Sequence, residues 1–419
     1  MTSRRNALRL IGLGGVAALV AACSSPPPPA APAPPTAPPA ATTAPAAAPT
    51  TASAPPTAAQ AAPASTAPAA ASKTTSQAVS DADWQQVVDA AKKEGHLYVA
   101  TYAGTGYRRV MDAFEAAYPG ITVEQTPFQS SSRDFFPRYF QERQAGLYQW
   151  DVMLVPATEP LVQAVPQGAI DPIRPLIVRA DVLDDKNWVD GFEGGWLDKG
   201  KVYSYPITRS RSQTLWIDTN QVKDGEIKSY KDLLDPKWNG KILAGDLRTK
   251  GSGFWPGTTL RLKTGSDDVI KQVWKDTNAV LSTDARQLTE QMVRGAYPIG
   301  LGAVSLPILL DFRAQGQGMN LKSIPTVELD YVNSGDHVLQ YANKAPNPNA
   351  AKLFINWVLG KEGSTIYATQ AQDNSRRADV PVQDATLVPE KGVDYITIDS
   401  EPLVEEILKT QKIATQVIG

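Results

Sequence analysis

The chain has 419 residues, a formal net charge of −2 and one cysteine, Cys23. A single cysteine forms no disulfide within the chain, so disulfides contribute nothing to its stability. Lysine and arginine form no block or stripe, which argues against nucleic acid as a partner.

The first residues predict an export signal over residues 1–22. The arginine pair Arg4 and Arg5 is followed by an apolar run over residues 10–22. A membrane-spanning helix needs about 20 apolar residues, so this shorter run is typical of a signal sequence. The pair resembles the twin-arginine (Tat) signal, although Ala7 stands where that signal usually has Phe. Export by the Sec or the Tat route therefore stays open.

Cys23 ends the stretch Leu-Val-Ala-Ala-Cys, which resembles the lipobox of bacterial lipoproteins. In a lipobox the cysteine thiol is acylated, with chains such as palmitate, and becomes the new N-terminus. More than one acyl chain gives stable anchoring. The resemblance implies a protein held by lipid on the outer face of the cytoplasmic membrane, in the periplasm or cell-wall zone. A plain signal peptide with an incidental cysteine is the alternative.

Residues 23–77 consist almost entirely of Ala, Pro, Thr and Ser. These residues supply neither bulky apolar groups nor periodicity, so no core is built from them. We expect a disordered stalk behind the lipidated cysteine. Extended at roughly 3.1 Å per residue, it would reach on the order of 150 Å.

Residues 78–419 alternate predicted strands and helices. Apolar residues at helical spacing end at Gly95, the apolar strand 97–102 follows, and the turn 104–106 leads into a second helix. Much later, Asn347-Pro348 is expected to cap another helix. Repeated alternation predicts an α/β protein with mainly parallel sheets, and this length predicts two lobes.

Several segments resemble extracellular solute-binding proteins of ABC importers, nearest the subgroup for ferric iron, thiamine and phosphonates. The segments that carry this resemblance are 94–95, 114–123, 150–152, 229–241 and 345–354. The stretch 230–241 is the most specific of them, and the resemblance extends over nearly all of residues 81–400.

The resemblance implies a two-lobed type II periplasmic-binding-protein fold, with hinge strands and a central cleft that closes on a small-molecule ligand. The first lobe is expected to take residues 78–206 and the second 207–333. Residues 334–372 would return to the first lobe, and 373–419 would lie mainly with the second. The resemblance also implies an ABC permease as partner, a monomer, and no cofactor.

Ligand-contacting residues are expected in loops at the carboxyl ends of strands. The glycine loop after the first strand offers Tyr102 and Thr105. Ser131 follows the second strand, where a helix cap is the competing role. Ser252 and Gly253 precede a predicted helix whose free amides attract anions, and similar Ser-Gly loops line the cleft in the resembled family.

Arg209 and Arg211 follow the expected first crossing, 203–207; the return crossing is expected near 330–336. A guanidinium pairs a carboxylate or phosphonate through two parallel hydrogen bonds. Two arginines at alternate strand positions would point the same way, toward a ligand. The alternative for each is a salt bridge near the hinge.

Ser305 is a further ligand candidate, in the stretch 302–305 where iron-binding relatives carry adjacent tyrosines. Ferric iron prefers anionic oxygen ligands, which this stretch does not supply. Tyr297 and Tyr331 remain near it in sequence. No metal site is predicted, and a ferric iron binding protein is kept as an alternative function.

We therefore expect a lipid-anchored receptor for an organic carboxylate or phosphonate. Tyr102, Tyr205, Trp216 and Trp255 would either wall the cleft around the ligand or pack the hinge. An exported lipoprotein enzyme that uses two distant carboxylates is the alternative from another class. No catalytic motif supports it.

Overall fold

The computed structural model describes residues 76–128, 135–249, 253–334 and 337–419. The predicted export signal, Cys23 and nearly all of the predicted stalk lie outside the described residues. Within the described part, no helix has the length and apolar composition needed to cross a membrane.

Short strands and helices alternate along the described chain. The strands are β1 (His96–Tyr102), β2 (Thr122–Phe128), β3 (Val152–Leu154), β4 (Ile170–Asp171), β5 (Tyr205–Pro206), β6 (Ser210–Arg211), β7 (Leu215–Asp218), β8 (Ile242–Gly245), β9 (Val280–Ser282), β10 (Ile299–Leu301), β11 (Leu321–Ile324), β12 (Val332–Asn333) and β13 (Val338–Ala342). The α-helices are α1 (Asp81–Glu94), α2 (Thr105–Ala117), α3 (Phe135–Gln144), α4 (Ala180–Leu183), α5 (Phe254–Thr264), α6 (Asp268–Ile270), α7 (Ala285–Val293), α8 (Leu306–Arg313), α9 (Pro348–Leu359), α10 (Lys361–Ala371) and α11 (Val404–Ile418). This is the α/β architecture that the sequence predicts.

The first lobe is built on a sheet with the strand order β2-β1-β3-β13-β4, and β5 pairs with β13. Helices α1, α2, α9 and α10 cover one face, and α3 covers the other. On the first face, the fully buried ring of Phe114 lies 5.1 Å from Phe354 and 5.3 Å from Trp357, measured between ring centroids. This aromatic contact joins α2 to α9 over the sheet.

The second lobe is built on a sheet with the order β11-β7-β10-β8-β9. Helices α5 and α11 cover one face, and α7 and α8 the other. The buried Arg261 of α5 donates hydrogen bonds to Thr410 and to the Glu406 carbonyl, which joins α11 to α5. The last helix of the chain therefore packs on the second sheet.

The prediction of mainly parallel sheets is wrong. β1 is parallel to β2 and β3, and β8 is parallel to β9 and β10. However, β13 is antiparallel to β3, β4 and β5, and β7 is antiparallel to β10 and β11. β7 and β13 enter their sheets directly from the crossings between the lobes, so no helical crossover forces them parallel to their neighbours.

The predicted ends of two helices are confirmed. Gly95 ends α1 in a left-handed conformation, with φ of 72°, and its N–H donates to the Ala91 carbonyl. α9 begins at Pro348, as predicted, but the Asn347 side chain does not cap it. The Glu94 carboxylate instead accepts hydrogen bonds from the first backbone N–H groups of α9.

The two lobes are joined by hinge strands. β6 pairs antiparallel with β12, so that Arg211 lies opposite Val332 and Ser210 opposite Asn333. β12 lies within the stretch 330–336 where the return crossing is predicted. β5 lies within the predicted first crossing, 203–207, and pairs in the first sheet, and the lobe bounds stay predictions.

A buried tyrosine gives the fold a testable pH dependence. Burial raises the pKa of Tyr139, on α3, from 10.0 to about 12, although Arg143 opposes the shift. Unfolding therefore releases a proton above pH 10, so stability is complete below pH 10 and falls as the pH rises to 12. We expect Tyr139→Phe to reduce the loss of unfolding free energy between pH 10 and pH 12 by about 2 kcal/mol. Urea unfolding at successive pH values measures this loss.

Tyr148→Phe is the matched control, because the Tyr148 hydroxyl accepts a hydrogen bond from Lys344 and its pKa is lowered. This variant should not flatten the alkaline fall in stability. An identical pH profile for Tyr139→Phe and the unmodified chain would contradict the assignment to Tyr139.

Candidate functional site

Helices follow the carboxyl ends of strands in both lobes. β1 leads into α2, β8 into α5 and β10 into α8. Ring contacts bring the end of β1 and the start of α5 close to the crossings between the lobes. The Trp255 ring, at the start of α5, lies 6.4 Å from that of Tyr331, which precedes β12. The Tyr102 ring lies 6.1 Å from that of His337, which precedes β13.

The starts of these three helices lack the usual side-chain caps. α2 begins after Gly104, α5 after Gly253 and α8 after Ser305, and none has a side-chain cap or an acidic residue in its first turn. The first backbone N–H groups of a helix carry a partial positive charge and attract anions. The strand-end edges of both lobes are therefore suited to a negatively charged group.

Other long helices in the described part have acidic or hydroxyl groups at their starts. Ser80 caps α1, Asp284 caps α7, and the Glu94 carboxylate binds the start of α9. α10 and α11 carry glutamates in their first turns. Among helices of eight or more residues whose preceding residue is described, only α2, α5 and α8 have neither a carboxylate near their first N–H groups nor a side chain that caps them.

Two glycines allow the chain to pack closely at these helix starts. A Cβ on Gly106 would lie 2.3 Å from the Gln370 carbonyl oxygen, and one on Gly253 would lie 2.0 Å from the Gly245 carbonyl oxygen. Both distances are far below contact, and both neighbours are backbone atoms. Glycine is therefore required at these two positions by packing.

The first predicted loop lies at the site. Tyr102 is half-buried, with its ring 4.6 Å from Phe128 and 6.0 Å from Tyr107. Thr105 is exposed and is the first residue of α2. The structure thus brings Tyr102 and Thr105 to one strand end, and their ligand contact stays a prediction.

The serine candidates have different outcomes. Ser305 precedes α8, and its backbone N–H donates to the Thr289 hydroxyl at 3.0 Å. Gly253 precedes α5. Ser131 and Ser252 lie outside the described residues.

Sequence reasoning missed Tyr107, and it interpreted His337 as structural because His337 lies beside an apolar strand. Tyr107, in the first turn of α2, has its ring 5.7 Å from that of His337. His337 is buried, and its Nδ1 is hydrogen-bonded to the Tyr367 hydroxyl at 2.9 Å. The position of Tyr107 directly after a glycine turn is the one sequence signal that points to it.

Comparison with known proteins identifies the family. The model of the family described as bacterial extracellular solute-binding protein matches residues 100–365. The chain belongs to this family. A comparison with curated proteins found no match.

Solved structures of other solute-binding proteins share the fold. Iron-bound HitA from Pseudomonas aeruginosa is 16% identical, with a TM-score of 0.57, over 77% of this chain and 99% of that chain. The Campylobacter jejuni ferric binding protein is 17% identical, with a TM-score of 0.57 and the same coverage. Trichodesmium IdiA (FutA), in complex with iron and citrate, is 16% identical, with a TM-score of 0.57 over 77% and 99%. This chain has their two-lobed type II fold.

The hinge arginines of this solute-binding protein both contact carboxylates. Arg211 donates to Asp330 at 2.5 Å and to the Thr386 carbonyl at 2.8 Å, and the Arg211 and Asp330 side chains are 5% and 1% exposed. The Arg209 guanidinium lies 3.2 Å from the Asp190 carboxylate. Both form the salt bridges that the sequence left open as the alternative, and the two side chains diverge.

Burial raises the pKa of the Asp330 carboxyl, while hydrogen bonds from Thr326 and Thr214 and the charge of Arg211 oppose the shift. A carboxylate buried this deeply stays charged only because hydrogen-bond donors and the Arg211 charge surround it. The salt bridge therefore serves to hold the crossing strands together, and a ligand role for Arg209 or Arg211 stays a prediction.

We expect Asp330→Ala to lower the free energy of unfolding by about 3–5 kcal/mol, because it leaves the Arg211 charge buried without its partner. Asp190→Ala is the control; since its carboxylate is 65% exposed, we expect a loss of at most about 1 kcal/mol. Urea unfolding of both variants checks this. Equal losses would show that burial does not distinguish the two pairs.

Proposed function

We propose that this solute-binding protein captures an organic carboxylate or phosphonate between its lobes and delivers it to an ABC permease. It binds its ligand without converting it chemically. The ligand candidates next to the helix starts are Tyr102, Thr105, Gly253 and Ser305. Four further candidates are proposed from the sequence alone: Ser131, Ser252, Arg209 and Arg211.

The uncapped starts of α2, α5 and α8 carry this proposal. They come from both lobes, so an anion between them would receive backbone N–H groups from each side. A ligand that contacts both lobes favours the state in which they are close together, and the short pairing of β6 with β12 is a suitable hinge. Binding would thus be coupled to closure.

The membrane anchor is proposed from the stretch that ends at Cys23. Acylation of this cysteine would hold the protein at the outer face of the cytoplasmic membrane, close to the permease. The stalk over residues 23–77 would give the folded part its reach. Mass measurement of the exported protein tests the acylation.

Ferric iron is the second candidate ligand. The names of the similar structures favour it, since those proteins bind iron. The phenol rings of Tyr102 and Tyr107 at the end of β1, and that of Tyr331 at the hinge, belong to a residue type that binds ferric iron. Within the described residues, no group of three or more His, Cys, Asp or Glu side chains is placed to hold a metal.

A thermal-shift screen of the full chain separates the two candidates. Acetate, methylphosphonate and ferric iron with a weak chelator are the probes, and the chelator alone is the control. Ligand at a hundred times its dissociation constant stabilises the folded state by roughly 2.7 kcal/mol, which moves the midpoint by several degrees. A shift with iron alone, accompanied by a visible tyrosinate band, would replace the anion proposal.

Thr105→Asp tests the helix start directly. A carboxylate at the first position of α2 competes with a bound anion for the same N–H groups, so we expect the affinity for the anion to fall about tenfold. Thr105→Asn is the control, because asparagine has nearly the shape of aspartate and no charge; its affinity for the anion should stay within about threefold of that of the unmodified chain. Calorimetric titration measures both. Equal affinities of the two variants would show that the α2 start does not bind the anion.

A further inference from the structure

Aromatic rings lie beside the helix starts at the cleft. Tyr107 is in the first turn of α2, and Trp255 is in the first turn of α5. Tyr102 ends β1, and Tyr331 precedes β12 at the hinge. All four side chains are partly exposed. Each lobe thus presents aromatic surface next to backbone N–H groups.

The structure separates these rings from the other aromatic candidates of the sequence. Tyr205 and Trp216 are 0% and 2% exposed and belong to the lobe cores. Tyr102 and Trp255, in contrast, remain accessible at the strand ends. Packing thus accounts for Tyr205 and Trp216, and a place in the cleft wall stays a prediction for Tyr102, which also packs against the first-lobe core, and for Trp255.

The rings of Tyr102 and Tyr107 in the first lobe both pack against His337. His337 lies 6.1 Å from Tyr102 and 5.7 Å from Tyr107, ring to ring. Its own ring is fixed by the Tyr367 hydroxyl at Nδ1. In the second lobe, Trp255 packs on the buried Phe254 at 5.5 Å and faces Tyr331 at 6.4 Å. Such backing pre-organises the ring faces and lowers the entropy cost of binding.

We infer that the ligand is an aromatic anion, in which a planar ring carries the carboxylate or phosphonate. This rests on the proposed function and adds the body of the ligand to its charged group. The helix starts would bind the anionic oxygens, and Tyr107 and Trp255 would contact the ring by stacking or edge-to-face packing. Aromatic contacts of this kind strengthen binding beyond the area they bury.

Three phosphonates with the same charged group test the inference in calorimetric titrations of the full chain. They carry a phenyl, a cyclohexyl and a methyl group. We expect phenylphosphonate to bind at least tenfold more tightly than methylphosphonate, and more tightly than cyclohexylphosphonate, because only the phenyl ring combines buried area with aromatic geometry.

Variants of Trp255 locate the effect. Trp255→Leu should lose most of the preference for phenyl over methyl, measured as the ratio of the two affinities in the same variant. Trp255→Phe, which keeps a ring, should retain the preference. Trp84→Leu is the control, because Trp84 lies on α1 under Arg179 and lines a surface pocket with Tyr118, which follows the end of α2 and not its start.

Each outcome decides between the two proposals. Equal affinities for phenylphosphonate and methylphosphonate would overturn the aromatic ligand and leave an anion receptor. Tightest binding of cyclohexylphosphonate would replace the aromatic ring with an aliphatic body. Absence of binding by all three, with acetate also inactive, would overturn the anion receptor itself.

Discussion

The salt bridge between Arg211 and Asp330 is the contact on which the two-lobed arrangement depends. Arg211 ends β6 and Asp330 immediately precedes the Tyr331–Val332 segment, so one ion pair joins the outgoing and returning crossings. Separating two buried charges costs several kcal/mol. Relative motion of the lobes must therefore leave this pair intact and bend the chain on either side of it. The ion pair and the pairing of β6 with β12 thus hold the two crossings side by side.

Local signals in the sequence predicted much of the first lobe, and distant partners account for what was missed. Gly95 ends α1 because only a left-handed residue fits there, which a single glycine reveals. The partner of Arg211 is 119 residues away, and nothing near the arginine indicates whether a carboxylate or a ligand would meet it. The antiparallel entry of β13 likewise follows from the return crossing, which local periodicity does not show.

The sequence indicates where the loops of the candidate site lie, but it indicates less well which side chains those loops expose. Thr105 was predicted from the glycine turn between a strand and a helix, and Ser305 from its position in the stretch where the resembled iron-binding proteins carry tyrosines; both lie at helix starts. Tyr107 was missed because an aromatic residue at helical spacing is most often part of a core. Its exposure depends on how α2 packs against α10, where Gly106 meets Gln370. Sequence patterns identify turns, whereas tertiary packing decides which ring remains accessible.

The uncapped helix starts constrain both candidate ligands. The partial positive charges at these helix starts oppose a bare cation, whereas they favour carboxylate or phosphonate oxygens. A ferric cargo would need neutralisation by phenolates such as those of Tyr102 and Tyr331, or by an anion bound with it. Both proposed ligands, the organic anion and ferric iron with its anionic partners, would thus bring negatively charged oxygens. The N–H groups of α2, α5 and α8 would donate hydrogen bonds to these oxygens. The choice between the ligands therefore depends on the rings, which either donate phenolate oxygens to a metal or offer their faces to an aromatic ligand.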